Sequence, residues 1–260
     1  MTELVTDTLE TGVAVLRLNA PDKINAISLE MREALIAALE RRFMDDECSA
    51  IVLAGSGGNF SAGGDIKGTR PTAEQLARTV RHKLSRLQEL VRLIAYCPKP
   101  VVAAVEGKAL GAGMSLAIAC DAVVAADNAQ FGAVFGKVGM VPDAGLMYTL
   151  PRRVGGALAQ HMLLSARVVE APQAREMGLV DEVVPCAELI AAACAQARRL
   201  GDIAPLALSA IKSLGAGSCA SLEEAFAEEL RLQPLLAMSN DNAEARAAFA
   251  ERRKPNFRGY

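Results

Sequence analysis

Two glycine-rich turns are the segments of this chain whose residue types and positions are best suited to chemistry. The first is Ser61-Ala62-Gly63-Gly64-Asp65 and the second is Leu110-Gly111-Ala112-Gly113. Each turn follows a short apolar run and precedes a segment of helical pattern, where small residues leave backbone N–H groups open to a ligand. Two such turns can direct two N–H donors at one oxygen atom, which is how an oxyanion hole is built.

The elements that must position these turns alternate between strand and helix. Apolar runs at 13–18, 50–54, 101–105 and 122–126 are typical of buried strands. A helix is predicted after Ser28, which can cap it, and a second amphipathic helix is predicted over 72–95. This alternation indicates an α/β class. The pattern alone fits a doubly wound sheet equally well.

The character of the chain changes near Pro185. From Ala187 to Ala250 the strand-like runs stop, and a pattern rich in Ala, Leu and Glu predicts helices. We therefore predict a core over residues 1–186 and a C-terminal helical region over 187–260. No Gly/Ser-rich linker separates the two parts, so the helical region is expected to pack against the core.

Composition narrows the classes of partner. The 260 residues carry a formal net charge of −2, which gives no general attraction to nucleic acid or to an anionic membrane. The N-terminal residues lack the order of a signal peptide, and we expect a cytoplasmic protein. Six scattered cysteines and two histidines show no metal-ligand spacing, so no metal site is predicted.

The motifs around the two turns resemble those of the crotonase (enoyl-CoA hydratase/isomerase) superfamily. The resemblance rests on 59–67 and 107–113 and continues through Ala119-Cys120-Asp121, 140–145 and Leu150-Pro151-Arg152. It implies a spiral of ββα turns followed by a helical region that covers the active site and forms trimers or hexamers. It also implies an acyl-CoA thioester as substrate, with no cofactor beyond the CoA moiety.

The resemblance assigns roles to the turns and to two further segments. The N–H groups of Gly64 and Ala112 would hold the thioester oxygen, where negative charge collects as an enolate forms. The resemblance also implies CoA contacts along the first turn, before it, and near the C-terminus. The residues concerned are Lys23, Ile24, Ala62, Gly64, Ile66 and Arg252.

The proton-transfer groups are where the sequence departs from the family pattern. Hydratases of this family use two glutamates, and the matching positions here are Ser115 and Phe135. A phenyl ring can neither hold a water molecule nor pass its protons. Asp143 remains as a carboxylate in the right region, among the apolar residues Met114, Phe135, Met140 and Val141. Its local sequence fits a helix cap. The resemblance implies a different role, because some isomerases of the family carry an acidic residue at this place as their sole proton carrier, and burial there would raise its pKa toward working pH; we therefore predict that Asp143 is the single proton carrier.

The resemblance and these residues together imply an acyl-CoA isomerase, most similar in its motifs to enzymes that rearrange a ring epoxide of phenylacetyl-CoA. A hydratase with atypical water-holding groups and a CoA-ester binder without turnover remain as alternatives. An aryl-CoA dehalogenase would use an aspartate as nucleophile and would need His82 as its helper. Asp65 and Lys67 are interpreted as turn and surface residues, not as catalysts.

Overall fold

Two β-sheets form the frame of the molecule in the computed structural model, which describes residues 4–65, 72–218 and 221–260. Six strands form the larger sheet in the order β1-β2-β3-β4-β6-β9, and three form the smaller sheet in the order β5-β7-β8. The strands are β1 Val5–Glu10, β2 Val13–Leu18, β3 Ala50–Gly55, β4 Val101–Val105, β5 Lys108–Leu110, β6 Ala122–Ala126, β7 Gln130–Gly132, β8 Val168–Glu170 and β9 Glu182–Val184.

The central strands are continuous apolar runs because both faces of the larger sheet are buried. In β3, Ile51 and Leu53 belong to the main core, while Ala50 and Val52 face a second, smaller core. Strands covered on both faces show this composition instead of an alternation of polar and apolar residues. The four strands predicted from the sequence are therefore confirmed as β2, β3, β4 and β6.

The strand pairing explains how the chain winds. Within the larger sheet β1 and β2 are antiparallel, and every later neighbour pairs in parallel. After β4 and after β6 the chain adds one short strand to the smaller sheet, as β5 and β7. Each of these windings of the chain thus contributes one strand to each sheet. This arrangement is a spiral of ββα units, and it excludes the doubly wound alternative.

Helices cover both faces of this frame. Ser28 caps α1, since its side chain accepts a hydrogen bond from the Met31 amide, as the sequence predicted. The predicted long amphipathic helix is α2. The helices are α1 Leu29–Phe43, α2 Ala73–Ala95, α3 Ala112–Ala119, α4 Leu146–Val154, α5 Gly156–Ser165, α6 Ala171–Glu176, α7 Leu189–Gly201, α8 Pro205–Ser213, α9 Leu222–Ala237 and α10 Asn240–Glu251.

The C-terminal region contains helices α7 to α10, and the described chain ends in a non-helical segment over 253–260. Its first helix, α7, buries Leu189, Ala193 and Ala197 against the larger sheet, so this helix is part of the core packing. Helix α8 is attached by Lys212, whose ammonium group lies 2.5 Å from the Asp121 carboxylate. Within the parts of the chain that the structure describes, no helix is both long and apolar enough to cross a bilayer.

Candidate active site

The first glycine turn is held directly against the start of the second. The Ser61 amide donates to the Lys108 carbonyl oxygen at 2.8 Å, and the Leu110 amide donates to the Ser61 carbonyl oxygen at 3.0 Å. The Ser61 hydroxyl also accepts a hydrogen bond from the Gly63 amide at 3.1 Å. These bonds fix the two turns side by side, as the sequence motifs required.

Gly63 is required by the closeness of the two turns. Its φ of +97° lies in the region that favours glycine, and a Cβ there would lie 2.7 Å from the Leu110 carbonyl oxygen and 3.3 Å from the Ala112 nitrogen. On the opposite side, a Cβ on Gly113 would approach the Ser61 carbonyl oxygen to 2.5 Å. The backbone of Gly63 therefore lies immediately beside the Ala112 amide.

The two amides predicted to hold an oxyanion are in suitable surroundings. Ala112 is the first residue of α3, where the helix leaves N–H groups without intrahelical acceptors and carries partial positive charge. Gly64 is exposed, and no atom lies within 4 Å of the position that its Cβ would occupy. Among the described residues, neither amide donates a hydrogen bond to the protein. Their oxyanion role stays a prediction.

A cavity of about 260 Å³ lies beside Gly64 and brings together four residues predicted to bind CoA. Ile66, the fifth of that group, lies outside the described residues. Arg252 is exposed at the C-terminal end of α10 and is not among the residues that line this cavity. The lining residues are Asp22, Lys23, Ile24, Ala26, Ala62, Gly64 and Asp65.

Asn25 holds the wall of this cavity and was not singled out from the sequence. Its side chain is fully buried, donates to the carbonyl oxygens of Ser56 and Asn59 at 2.8 and 2.7 Å, and accepts from the Ala20 amide at 2.9 Å. The Ile24 carbonyl oxygen in turn accepts a hydrogen bond from the Ala62 amide at 2.8 Å. A buried Asn satisfied in this way fixes a loop. The available signal in the sequence was its position directly after Lys23 and Ile24, which the resemblance already assigned to CoA binding.

Asp143 is not a helix cap, so the alternative role that its local sequence suggested is excluded. Helix α4 begins at Leu146 with Gly145 as its N-cap residue, and no side chain caps it. The Asp143 Oδ1 atom is buried and has no hydrogen-bond partner in the described structure. Burial raises the pKa of the Asp143 carboxyl group above its usual range, and the Arg32 guanidinium opposes that rise. These are properties of a carboxylate available for proton transfer.

The apolar surroundings of Asp143 differ in part from the expectation. Met114 is fully buried and Phe135 is 7% exposed, but Met140 and Val141 are 51% and 78% exposed. The turn from 139 to 145 directs these two side chains outward. The Phe135 ring instead packs against the second turn, 3.9 Å from the position of a Cβ on Gly111.

The other side chains considered for proton transfer have different environments. Ser115 is fully buried in α3, and its hydroxyl donates to the Gly111 carbonyl oxygen at 3.2 Å, a bond within its own helix turn. His82 lies on the exposed side of α2. In the described ranges, no group of three or more His, Cys, Asp or Glu side chains is placed to hold a metal ion.

Arg32 is a site residue that the sequence analysis missed. It belongs to α1, is only 7% exposed, and its guanidinium group acts electrostatically on the Asp143 carboxylate and opposes the rise of its pKa. Its position was readable, because Arg32, Leu35, Ile36 and Leu39 follow the helical spacing of the buried face. A cation on an apolar stripe is unusual enough to indicate a specific partner.

The chain is similar to known proteins along nearly its whole length. A sequence model of the family described as enoyl-CoA hydratase/isomerase matches residues 8–260. Two proteins of Escherichia coli strain K12 align over 100% of both chains: one named 2,3-dehydroadipyl-CoA hydratase at 37% identity and one named 1,2-epoxyphenylacetyl-CoA isomerase at 34%. The crystal structure of enoyl-CoA hydratase from Bacillus anthracis superposes with a TM-score of 0.91 at 29% identity, covering 99% of this chain and 100% of that chain. The predicted fold is thereby confirmed.

Proposed function

Because this chain belongs to the enoyl-CoA hydratase/isomerase family, we propose that it is an acyl-CoA isomerase that shifts a double bond or rearranges a ring epoxide. The observation that supports this proposal most is the Asp143 carboxylate, which is buried and has an oxygen atom without a hydrogen-bond partner. A proton-transfer isomerase needs one base and one group of donors for an oxyanion. Asp143 is the base, and the amides of Gly64 and Ala112 are the donors.

The reaction begins with the removal of a proton from carbon. Asp143 takes a proton next to the thioester carbonyl or from the vinylogous carbon, and negative charge moves onto the thioester oxygen. The amides of Gly64 and Ala112 stabilise that charge, and each donor contributes roughly 3–4 kcal/mol to lowering the barrier, the scale measured for oxyanion-hole losses. The same Asp143 then returns its proton to another carbon, so protons and charge balance.

The residues that stand at the positions of the two hydratase glutamates favour isomerisation over hydration. Ser115 is engaged with the Gly111 carbonyl oxygen inside α3, and Phe135 offers only a ring. Neither residue can hold a water molecule and transfer its protons. Similarity to 1,2-epoxyphenylacetyl-CoA isomerase over the whole chain is in keeping with this proposal.

Hydration of an enoyl-CoA is the second candidate. The observation in its favour is that several relatives carry hydratase names, among them 2,3-dehydroadipyl-CoA hydratase at 37% identity. In that case Asp143 would be the group that activates water. A CoA-ester binder without turnover is the third possibility, and it requires only the cavity and the backbone donors.

Three outcomes of one experiment separate these candidates. The protein is incubated in deuterium oxide with 3-enoyl-, 2-enoyl- and phenylacetyl-derived CoA esters, and the esters are analysed by mass spectrometry. We expect a shift of the double bond or a ring rearrangement without added water, and deuterium at carbon to the extent that the Asp143 carboxyl group exchanges its proton with solvent before returning it. Addition of the mass of water would indicate a hydratase, and recovery of unchanged, unlabelled esters would indicate a binder.

We also propose that the protein acts as a homotrimer or homohexamer and that Arg252 contacts the phosphates of CoA. Helix α9 supports the assembly, because it leaves large apolar side chains exposed in the single chain, including Phe226 at 46% and Leu230 at 78%. No cofactor is proposed beyond the CoA moiety of the substrate. Light scattering of the purified protein tests the assembly, and the dissociation constant of CoA with Arg252→Ala tests the phosphate contact.

The substitution Asp65→Asn should leave the turnover number close to that of the wild type. Asp65 lines the cavity, and its carboxylate lies 3.9 Å from the ammonium group of Lys23, which is itself mostly exposed. An ion pair of that exposure contributes little, and Asn keeps the shape and hydrogen-bonding capacity of the side chain. Turnover is measured with the best ester of the panel. A loss of several orders of magnitude in a folded variant would assign Asp65 a catalytic role.

A further inference from the structure

The Ser61 hydroxyl joins the first glycine turn to the wall of the cavity beside Gly64. Ser61 is fully buried, and its Oγ atom donates a hydrogen bond to the Asn25 carbonyl oxygen at 2.8 Å. The same oxygen atom accepts a hydrogen bond from the Gly63 amide at 3.1 Å. Because a hydroxyl has one proton and two lone pairs, it can make both bonds at once. A single side chain therefore bridges the cavity wall and the turn.

Two backbone hydrogen bonds run beside this bridge. The Ala62 amide donates to the Ile24 carbonyl oxygen at 2.8 Å, and the Ile27 amide donates to the Gly63 carbonyl oxygen at 2.8 Å. Ile27 also pairs with Gly64 in a parallel β-bridge. The wall of the cavity and the first turn are therefore bonded along their lengths, and a displacement of one must displace the other.

The cavity wall is strained at the point where Ser61 holds it. Ile24 and Asn25 adopt φ values of +51° and +50°, in the left-handed region that residues with a side chain rarely adopt. This conformation is least favourable for Ile24, because its side chain is β-branched. Strained backbone persists only where the surrounding structure fixes it, and it is concentrated at binding sites and switches. Two consecutive strained residues therefore indicate that the wall is used in function.

We propose that Ser61 is a positioning residue that transmits binding of the CoA moiety to the oxyanion turn. The inference rests on the proposed function, in which CoA occupies the cavity beside Gly64 and the amide of that residue holds the thioester oxygen. Contact of CoA with the wall fixes the Asn25 carbonyl group. The Ser61 hydroxyl passes this constraint to Gly63, the residue directly before the donor. Binding energy from a remote part of the substrate is thereby used to raise kcat.

The test compares two thioesters of the same acyl group. One is the CoA ester that is the best substrate of the panel, and the other is the N-acetylcysteamine thioester, which lacks the nucleotide. The wild-type kcat should be higher for the CoA ester, because only this ester contacts the wall. In Ser61→Ala the kcat of the CoA ester should fall about tenfold, a usual size of coupling between two sites, while that of the truncated thioester stays within about twofold. Equal losses for both thioesters, or equal wild-type kcat values, would overturn the proposal.

Ser115→Ala is the matched control. Ser115 is likewise fully buried, but its hydroxyl donates to the Gly111 carbonyl oxygen within its own helix turn. This variant should keep the wild-type ratio of the two kcat values, because the Ser115 hydroxyl does not reach the cavity wall. A ratio as low as that of Ser61→Ala would show that the loss of any buried hydroxyl has this effect and would contradict the role of Ser61.

Ser61→Cys keeps the size of the side chain and decides the question where Ser61→Ala does not fold. A thiol is a weaker donor and acceptor than a hydroxyl, so the ratio of the two kcat values should lie below that of the wild type. The dissociation constant of CoA, measured by calorimetry, should stay close to that of the wild type. Where only Ser61→Cys folds, a full wild-type ratio in this variant would overturn the proposal.

A readout without turnover separates this inference from the proposed reaction. CoA itself is the probe, and amide hydrogen exchange is followed by mass spectrometry over 110–113, which do not line the cavity. The Leu110 amide is bonded to the Ser61 carbonyl oxygen, so the constraint should reach this second turn. Bound CoA should slow exchange there about fivefold or more in the wild type and not in Ser61→Ala. Absence of this protection in the wild type, or its persistence in Ser61→Ala, would overturn the proposal whether or not the esters isomerise.

Discussion

The substitution Gly63→Ala is expected to lower the turnover number by about 100-fold or more, the loss seen when one oxyanion donor is removed. The methyl group would lie 2.7 Å from the Leu110 carbonyl oxygen and 3.3 Å from the Ala112 nitrogen, and the φ of +97° disfavours alanine. The two turns must therefore move apart. Gly64 and Ala112 would then no longer direct their amides at one oxygen atom.

The matched control is Gly156→Ala, in the first turn of α5. No atom lies within 4 Å of its added Cβ, and its φ is in the ordinary range for other residues. This variant should retain wild-type turnover and stability. The measurement is kcat on the best ester, with circular dichroism to verify folding of both variants. Wild-type kcat in a folded Gly63→Ala protein would show that the spacing of the two turns is not used in the reaction.

The larger elements were predictable because their signals are local. Strands β2, β3, β4 and β6 are buried on both faces and appear as uninterrupted apolar runs. Strand β1 was missed because it is an edge strand with polar residues such as Thr6 and Asp7, and its pairing with β2 defines it. Strands β5, β7, β8 and β9 have three residues each, too few to show any periodicity.

The site was predictable only as far as it is formed by single segments. The two glycine turns could be identified because each needs small residues within a few positions. Gly63 shows the reason, since a Cβ at that position would collide with the backbone of the second turn. The interaction of Asp143 with Arg32 joins residues far apart in the chain, which no local pattern reports. The local sequence at Asp143 fits a helix cap only because it does not show that Ala144 and Gly145 adopt positive φ values and that the helix therefore begins later, at Leu146.

The substitution Asp143→Asn should lower the isomerisation rate by about 100-fold or more, the usual contribution of an acid–base group. Asn keeps the shape of the side chain but cannot accept a proton at neutral pH. Affinity for the CoA ester should change little, because the cavity beside Gly64 and the backbone donors are untouched. The matched control is Asp65→Asn, the same replacement at a carboxylate for which we expect no catalytic role.

The pH dependence of kcat/KM in the wild-type protein should show the ionisation of Asp143. Burial raises the pKa of Asp143, so kcat/KM should increase with pH through a midpoint above the ordinary aspartate range. The base is active only when ionised, which gives the increase its sign. The residual activity of Asp143→Asn should lack this ionisation. A pH profile that is identical in both proteins would assign it to another group.

Stability provides the readout that separates a catalytic carboxylate from a structural one. The pKa of Asp143 is higher in the folded protein than in the unfolded chain. The free energy of unfolding therefore decreases as pH rises through the interval between these two pKa values. At neutral pH the ionised carboxylate is a net cost, which Asn removes, so the variant should melt at the same or a higher temperature than the wild type. A clear decrease in the Tm of Asp143→Asn would mean that the charge of Asp143 supports the fold. Wild-type turnover in the same variant would mean that the proton carrier is a different residue. Loss of turnover with an unchanged or raised Tm is the combination that only the proposed role predicts.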